Sequence, residues 1–194
     1  MTRIFPERLR ISVSPGFCFS LALLILLIPL RWLVAAVVSI VAHELFHIGT
    51  MRCFGHRIRS IHIGIDGTRI QMPQMPLWQE LLCALSGPFG GIVLLCFGRW
   101  FPILALCSGF HTLYNLLPVY PQDGGRALRC GAQLLLPERW ANLCCVVVEN
   151  LCFVGIGAIG IYGTFIVNAG LFPLLFAFLF LWRSHKMKIS LQRS

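Results

Sequence analysis

The stretch "WLVAAVVSIVAHELFHIGTM", residues 32–51, is 20 residues long and apolar over its first half. As a helix it is long enough to cross the roughly 30 Å of hydrocarbon in a bilayer. Its second half nonetheless holds His43, Glu44 and His47. Ionisable groups at that depth are costly and by default mark a functional site. The plainer reading is a polar triplet that joins helices by hydrogen bonds. The spacing favours chemistry. Residues four apart share one face of a helix, so His43 and His47 can present two imidazoles to one ion. Glu44, one residue on, is placed to serve as general base toward water at that ion, as the His-Glu-x-x-His pattern requires.

The rest of the chain agrees with a membrane setting. Its 194 residues are 57% hydrophobic and only 12% charged, about half the charge of an ordinary soluble domain. Mean hydropathy is +0.80. The net charge of +9 invites a nucleic-acid reading, but the basic residues gather between apolar runs and at the ends, as topology signals do. No nucleic-acid partner is therefore expected. The 9 cysteines are odd in number, include no C-x-x-C pair and lie mostly inside apolar runs. They read as small hydrophobes and not as a disulfide framework or metal site.

Six spans are predicted, at about 14–30, 32–51, 77–98, 100–117, 140–162 and 165–182. Arg3, Arg8 and Arg10 precede the first; Arg52, Arg57, Arg59 and Arg69 lie between the second and third; Arg126, Arg129 and Arg139 lie between the fourth and fifth; Arg183, Lys186, Lys188 and Arg193 follow the sixth. Only Arg31 and Arg99 fall on the opposite side. That asymmetry puts both termini and the basic loops in the cytoplasm. The expected class is an all-α, multi-pass integral membrane protein embedded in the lipid bilayer.

A catalytic zinc usually takes three protein ligands and leaves one position open. Besides Glu44 the chain has only Glu7, Asp66, Glu80, Asp123, Glu138 and Glu149. Asp123 stands out, in "NLLPVYPQDGG", residues 115–125, at the cytoplasmic end of span four. Pro118 and Pro121 cannot continue a regular helix, and irregular backbone at that depth must line a cavity or pack on protein. The alternative for Asp123 is a cap on a helix beginning near Gly124. Asn115 can hydrogen-bond a substrate backbone or a developing oxyanion; its rival role is helix–helix contact.

The motif His43-Glu44-Leu45-Phe46-His47, followed by Asn115-x-x-Pro118-x-x-Pro121-x-Asp123-Gly124-Gly125, resembles the site-2 protease family of intramembrane zinc metalloproteases. "ALSGPFGG" at 84–91 resembles the glycine-proline element between those motifs. The resemblance runs over nearly the whole chain. It implies a bound Zn2+ held by His43, His47 and Asp123, with Glu44 activating water and Asn115 contacting substrate. The layout is closest to the bacterial stage IV sporulation branch, whose members cleave a membrane-bound sigma-factor precursor. The implied partners are a membrane-bound protein substrate and membrane proteins that inhibit the protease. Relatives in that branch often carry a nucleotide-sensing domain after the last span. About a dozen residues follow Trp182, so one domain over 1–194, with neither that domain nor a PDZ domain, is expected.

A protease needs its substrate extended. Residues 57–72 alternate around Ile61, Ile63 and Ile65, with Asp66-Gly67 as a tight turn and Ile70 and Met72 on the return. This predicts a short β-hairpin at the cytoplasmic face between spans two and three. Its edge strand, carrying Ile61, Ile63 and Ile65, is expected to pair with substrate by β-augmentation; the alternative is a hairpin that only links the spans. His56, His62 and His111 are expected to have ordinary polar or structural roles. Gly87 and Gly91 are expected to pack span three against the catalytic helices. Glu149-Asn150 is a second polar pair within an apolar run. Two other functions fit some of these features: a transmembrane metal-ion transporter and a non-catalytic membrane scaffold. A transporter needs ligands strung along a path, whereas the polar groups here converge at one depth. A scaffold has no need of Glu44.

Overall fold

A computed structural model describes residues 10–57, 60–64, 67–70 and 74–192. In chain order the elements are β1 (Arg10–Val13), α1 (Pro15–Leu27), α2 (Leu30–Cys53), β2 (Ser60–Gly64), β3 (Gly67–Ile70), α3 (Leu77–Leu95), α4 (Pro102–Leu116), α5 (Asp123–Leu135), α6 (Glu138–Phe165) and α7 (Phe172–Gln192). They fall into two compact units, residues 1–79 with 86–112, and residues 80–85 with 113–194.

In the first unit, Ser14 starts α1: its hydroxyl accepts from the Phe17 N–H at 3.2 Å, with Pro15 in the first turn. Pro29 separates α1 from α2, since the residue before a proline is pushed out of the helical region. α2 has 24 residues, about 36 Å at 1.5 Å per residue. Its buried face is Ala35, Ser39, His43, His47 and Met51, one stripe at a spacing of four. Val34, Val37, Val38, Ile40, Val41 and Leu45 lie exposed on the other faces. Polar groups inside and apolar groups outside is the arrangement that suits lipid, not water. α2 stops in a glycine cap: Gly55 has φ +77°, its N–H bonds Arg52 O, and His56 N–H bonds Met51 O, both at 2.9 Å. The His56 ring then donates to Gln79 Oε1 at 2.7 Å, tying the end of α2 to the start of α3. This is the structural role expected of His56.

Small residues bring α3 close to its neighbours. A Cβ on Gly90 would meet Phe46 Cδ2 of α2 at 2.5 Å, and one on Gly91 would strike the Thr112 hydroxyl of α4. Ser108 Oγ donates to Gly91 O at 2.9 Å across the same seam. Pro88 sits inside α3 and is fully buried.

The three strands form one sheet in the order β1-β2-β3, with β1 parallel and β3 antiparallel to β2. β1 lies outside the predicted hairpin and gives β2 a second neighbour. Ile61 and Ile63 pair with Ile11 and Val13 on one side and with Ile70 and Thr68 on the other. Both edges of β2 are taken, so substrate cannot add to the strand that carries Ile61 and Ile63; among the described residues the outer strands are β1 and β3. Ile65, Asp66 and Met72 lie outside the described residues.

In the second unit, α5 is amphipathic and ends before Pro137. α6 and α7 pack through small residues: a Cβ on Gly160 would lie 2.9 Å from Ala177 Cβ, and one on Gly163 would lie 3.1 Å from Pro173. Tyr114 and Phe153 set their rings against Phe180. The predicted sixth span starts seven residues too early, because Asn168 (φ +55°) and Gly170 (φ +74°) form a left-handed break before α7. Among the described residues three helices, α2, α3 and α6, are long and apolar enough to cross a membrane, and Pro15–Leu27 and Phe172–Trp182 are shorter apolar helices.

Candidate metal centre

His43 and His47 are nearly inaccessible, at 2% and 4% exposure, and Asp123 is 8% exposed. One ligand atom from each of the three lies within 4.8 Å of the others. The two histidine Nε2 atoms are 3.2 Å apart. A tetrahedral ion with nitrogens at roughly 2.0–2.1 Å would hold them about 3.3 Å apart. Ser86 Oγ stands 3.4 Å from His47 Nδ1. A proton on Nδ1 directed at that hydroxyl leaves the Nε2 lone pair for an ion, the way such ligands are usually oriented.

Space is left on the third side by Gly87. A Cβ there would overlap His47 Nε2 and come within 2.7 Å of His43 Nε2, so only glycine leaves both ring nitrogens in place. Two neutral imidazoles and one carboxylate make a donor set suited to zinc, with a fourth position open. The residues present fit a bound Zn2+, and His43, His47 and Asp123 are positioned to hold it.

Asp123 owes its position to the turn before α5. α4 ends at Leu116, two residues ahead of Pro118, and the Tyr120–Pro121 peptide is cis. Gln122 is the N-cap, with extended backbone, so Asp123 is the first helical residue and not the cap. The two glycines that follow are forced by crowding. A Cβ on Gly124 would collide with Leu116 O, and one on Gly125 with the backbone of Val119 and Tyr120. Arg129 lies over the Tyr120 ring, 5.3 Å from its centroid.

Glu44 is half-buried, next to His43 and three residues from His47; Asn115 is half-buried near the end of α4. His111 sets its ring edge-on against His43, centroids 4.7 Å apart, in addition to the His43–His47 edge contact at 4.8 Å. Glu149 is buried in α6, at 7% exposure.

Sequence reasoning missed three contributors. Ser86 carried no motif of its own. Arg126 belongs by position to the basic loop that marks topology, yet its Nη1 lies 4.0 Å from Asp123 Oδ1 and its Nη2 3.5 Å from Glu80 Oε1. Cys130 lies under the influence of the same Glu80: burial first, then the Glu80 charge, pushes its thiol up to about 11. Their only sequence signal was the i, i+3 spacing of Asp123 and Arg126.

A solved structure, the site-2 protease from Methanocaldococcus jannaschii, matches over 96% of this chain and 94% of its own, with a TM-score of 0.63 and 24% identity. The fold is that of a site-2 protease. A curated zinc metalloprotease of Methanocaldococcus jannaschii is 34% identical over a region covering 47% of this chain. The chain spans about a third of that relative's length, 31%. No protein-family model matches the chain.

Proposed function

We propose that the chain is an intramembrane zinc metalloprotease that hydrolyses a peptide bond in or near a transmembrane segment of a membrane-bound substrate. The observation that carries this is the buried convergence of His43, His47 and Asp123 beside Glu44. The named zinc metalloprotease and the site-2 protease fold support it.

A zinc ion in this site supplies a Lewis acid that polarises the scissile carbonyl and makes nearby water more acidic. Glu44 takes a proton from the attacking water and passes it to the leaving nitrogen. Asn115 holds the substrate backbone or the developing oxyanion. His47 keeps its ring oriented through Ser86. In this reading the chain spans the bilayer six times with both termini in the cytoplasm, the side favoured by 14 of its 16 basic residues. The substrate is a membrane-tethered precursor, as in the sporulation branch that the motifs resemble.

The test is cleavage of a single-span substrate by the purified chain in detergent. A zinc chelator is expected to stop product formation, and added zinc to restore it. Cleavage that survives complete metal removal would end the proposal, as would zinc flux in vesicles with no proteolysis.

Substrate presentation follows the sheet. In a two-residue hairpin connection the closing pair, here Gly64–Gly67, is hydrogen-bonded, and pairs alternate from there. Thr68 and Ile70 therefore turn their backbone groups away from β2, toward the outer edge. Thr68→Pro removes one outward donor without removing a bond to β2. It is expected to slow cleavage at least about tenfold, a loss comparable to one or two hydrogen bonds, with zinc content unchanged. Unaltered cleavage would leave the sheet as a linker only.

A further inference from the structure

We propose that Arg126 positions the Asp123 carboxylate for metal binding and that Glu80, from the first turn of α3, holds Arg126 in place. This deepens the zinc reading and rests on it.

Three side chains on one face of α5 carry the argument. Asp123, Arg126 and Cys130 are spaced i, i+3 and i+7, so they line up along the helix. Arg126 faces two carboxylates through two different nitrogens: Nη2 hydrogen-bonds Glu80 Oε1 at 3.5 Å, and Nη1 lies 4.0 Å from Asp123 Oδ1, an ion pair without a hydrogen bond. Beyond burial, the Glu80 charge also acts on the Cys130 thiol and holds its pKa raised. The Arg126 side chain is only 19% exposed, and that of Asp123 11%. The Arg126 backbone N–H bonds Gln122 O at 3.1 Å, fixing the first turn from which both side chains project.

A free aspartate carboxylate turns through a broad, roughly two-fold torsional well. A guanidinium 4.0 Å from Oδ1 attracts that oxygen by charge and so biases the torsion of the carboxylate. A cation beside a metal ligand would by itself oppose a divalent ion. Glu80 offsets it: one arginine between two carboxylates leaves a net charge of −1, the same that a lone Asp123 would offer. A simple staple between α3 and α5 would need no fork and no second carboxylate on the metal side. Two nitrogens facing two carboxylates at once is what Arg126 contributes beyond a point charge, and a lysine ammonium does not reproduce it.

The measurement is zinc affinity of the full chain in detergent, by competition with a chromogenic chelator, together with the thermal midpoint and cleavage rate. Arg126→Ala is expected to weaken zinc about 10–100-fold, the usual cost of losing a group that orients a ligand. Arg126→Lys keeps the charge without the fork and is expected to recover only part of the loss. Glu80→Gln is expected to weaken zinc several-fold in the wild-type background. It should have no effect in the Arg126→Ala background, because Glu80 acts through Arg126. Arg139→Ala, at an exposed site, should match wild type. Zinc affinity within twofold of wild type in Arg126→Ala would overturn the proposal, and so would an equal effect of Glu80→Gln in both backgrounds. Should Arg126→Ala not fold, wild-type affinity in both Arg126→Lys and Glu80→Gln overturns it. A wild-type chain that binds no zinc would instead defeat the metal reading itself.

Discussion

Glu44→Gln is expected to leave zinc bound and to slow peptide hydrolysis by about 10²–10⁴-fold, the range of a lost general base. The substitution is nearly isosteric and removes only the ability to take and return a proton. Glu44 is half-buried on α2 and is not among the three grouped ligands, so zinc content should stay at the wild-type level. Helix propensity scarcely differs between Glu and Gln, so folding is little affected. The decisive comparison is product formed per zinc bound, not product per protein. Cleavage at the wild-type rate would assign the base elsewhere, with His111 the first group to examine, since it stands against His43. Loss of zinc together with cleavage would make Glu44 part of the metal-binding set.

What could be read from the chain depended on how local the signal was. His43 and His47 were legible because four-residue spacing on a helix is a local rule. Asp123 was legible because the proline-glycine run around it breaks a helix at a predictable point, and few acidic residues compete for the role. The first five predicted segments coincide with helices because hydrophobic length is a property of the segment itself, though among the described residues only α2, α3 and α6 are long and apolar enough to cross a membrane. The start of α7 was misplaced because Val167, Leu171 and Phe172 keep the run apolar on both sides of Asn168 and Gly170, and composition averages the turn away. β1 was missed for a different reason. Four residues, "RISV", alternate in polarity as thousands of loops do. What makes them a strand is pairing in parallel with residues fifty positions away, across α1 and α2. That pairing then makes β1 and β3, not β2, the outer strands among the described residues. Ser86 and Arg126 were illegible as site residues because their partners are 39 and 46 residues distant. Only folding decides which side chain faces which.

The same distinction explains why the costliest small change is expected at a glycine and not at a charged residue. Gly87→Ala should abolish tight zinc binding while the fold survives. The added methyl carbon would overlap His47 Nε2 and lie 2.6 Å from His47 Cε1 and 2.7 Å from His43 Nε2. The obstructing atoms are the far ends of two side chains, which can rotate away, and not backbone. The backbone of α3 therefore need not move, and alanine is intrinsically the better helix residue by about 0.5–1 kcal/mol. What cannot survive is the 3.2 Å convergence of the two Nε2 atoms, because relieving the overlap means turning the rings that would hold the ion. Zinc affinity is expected to fall by at least about 100-fold, beyond the cost of losing an orienting neighbour alone, and cleavage with it. Gly131→Ala is the matched control: nothing lies within 4 Å of a Cβ there, so zinc should stay and α5 should gain slightly in stability. Gly91→Ala separates packing from ligation, since its Cβ would strike the Thr112 hydroxyl and not a histidine; it should lower the thermal midpoint more than it lowers zinc affinity. If Gly87→Ala binds zinc as wild type does, the imidazoles do not sit against α3 when the ion is held.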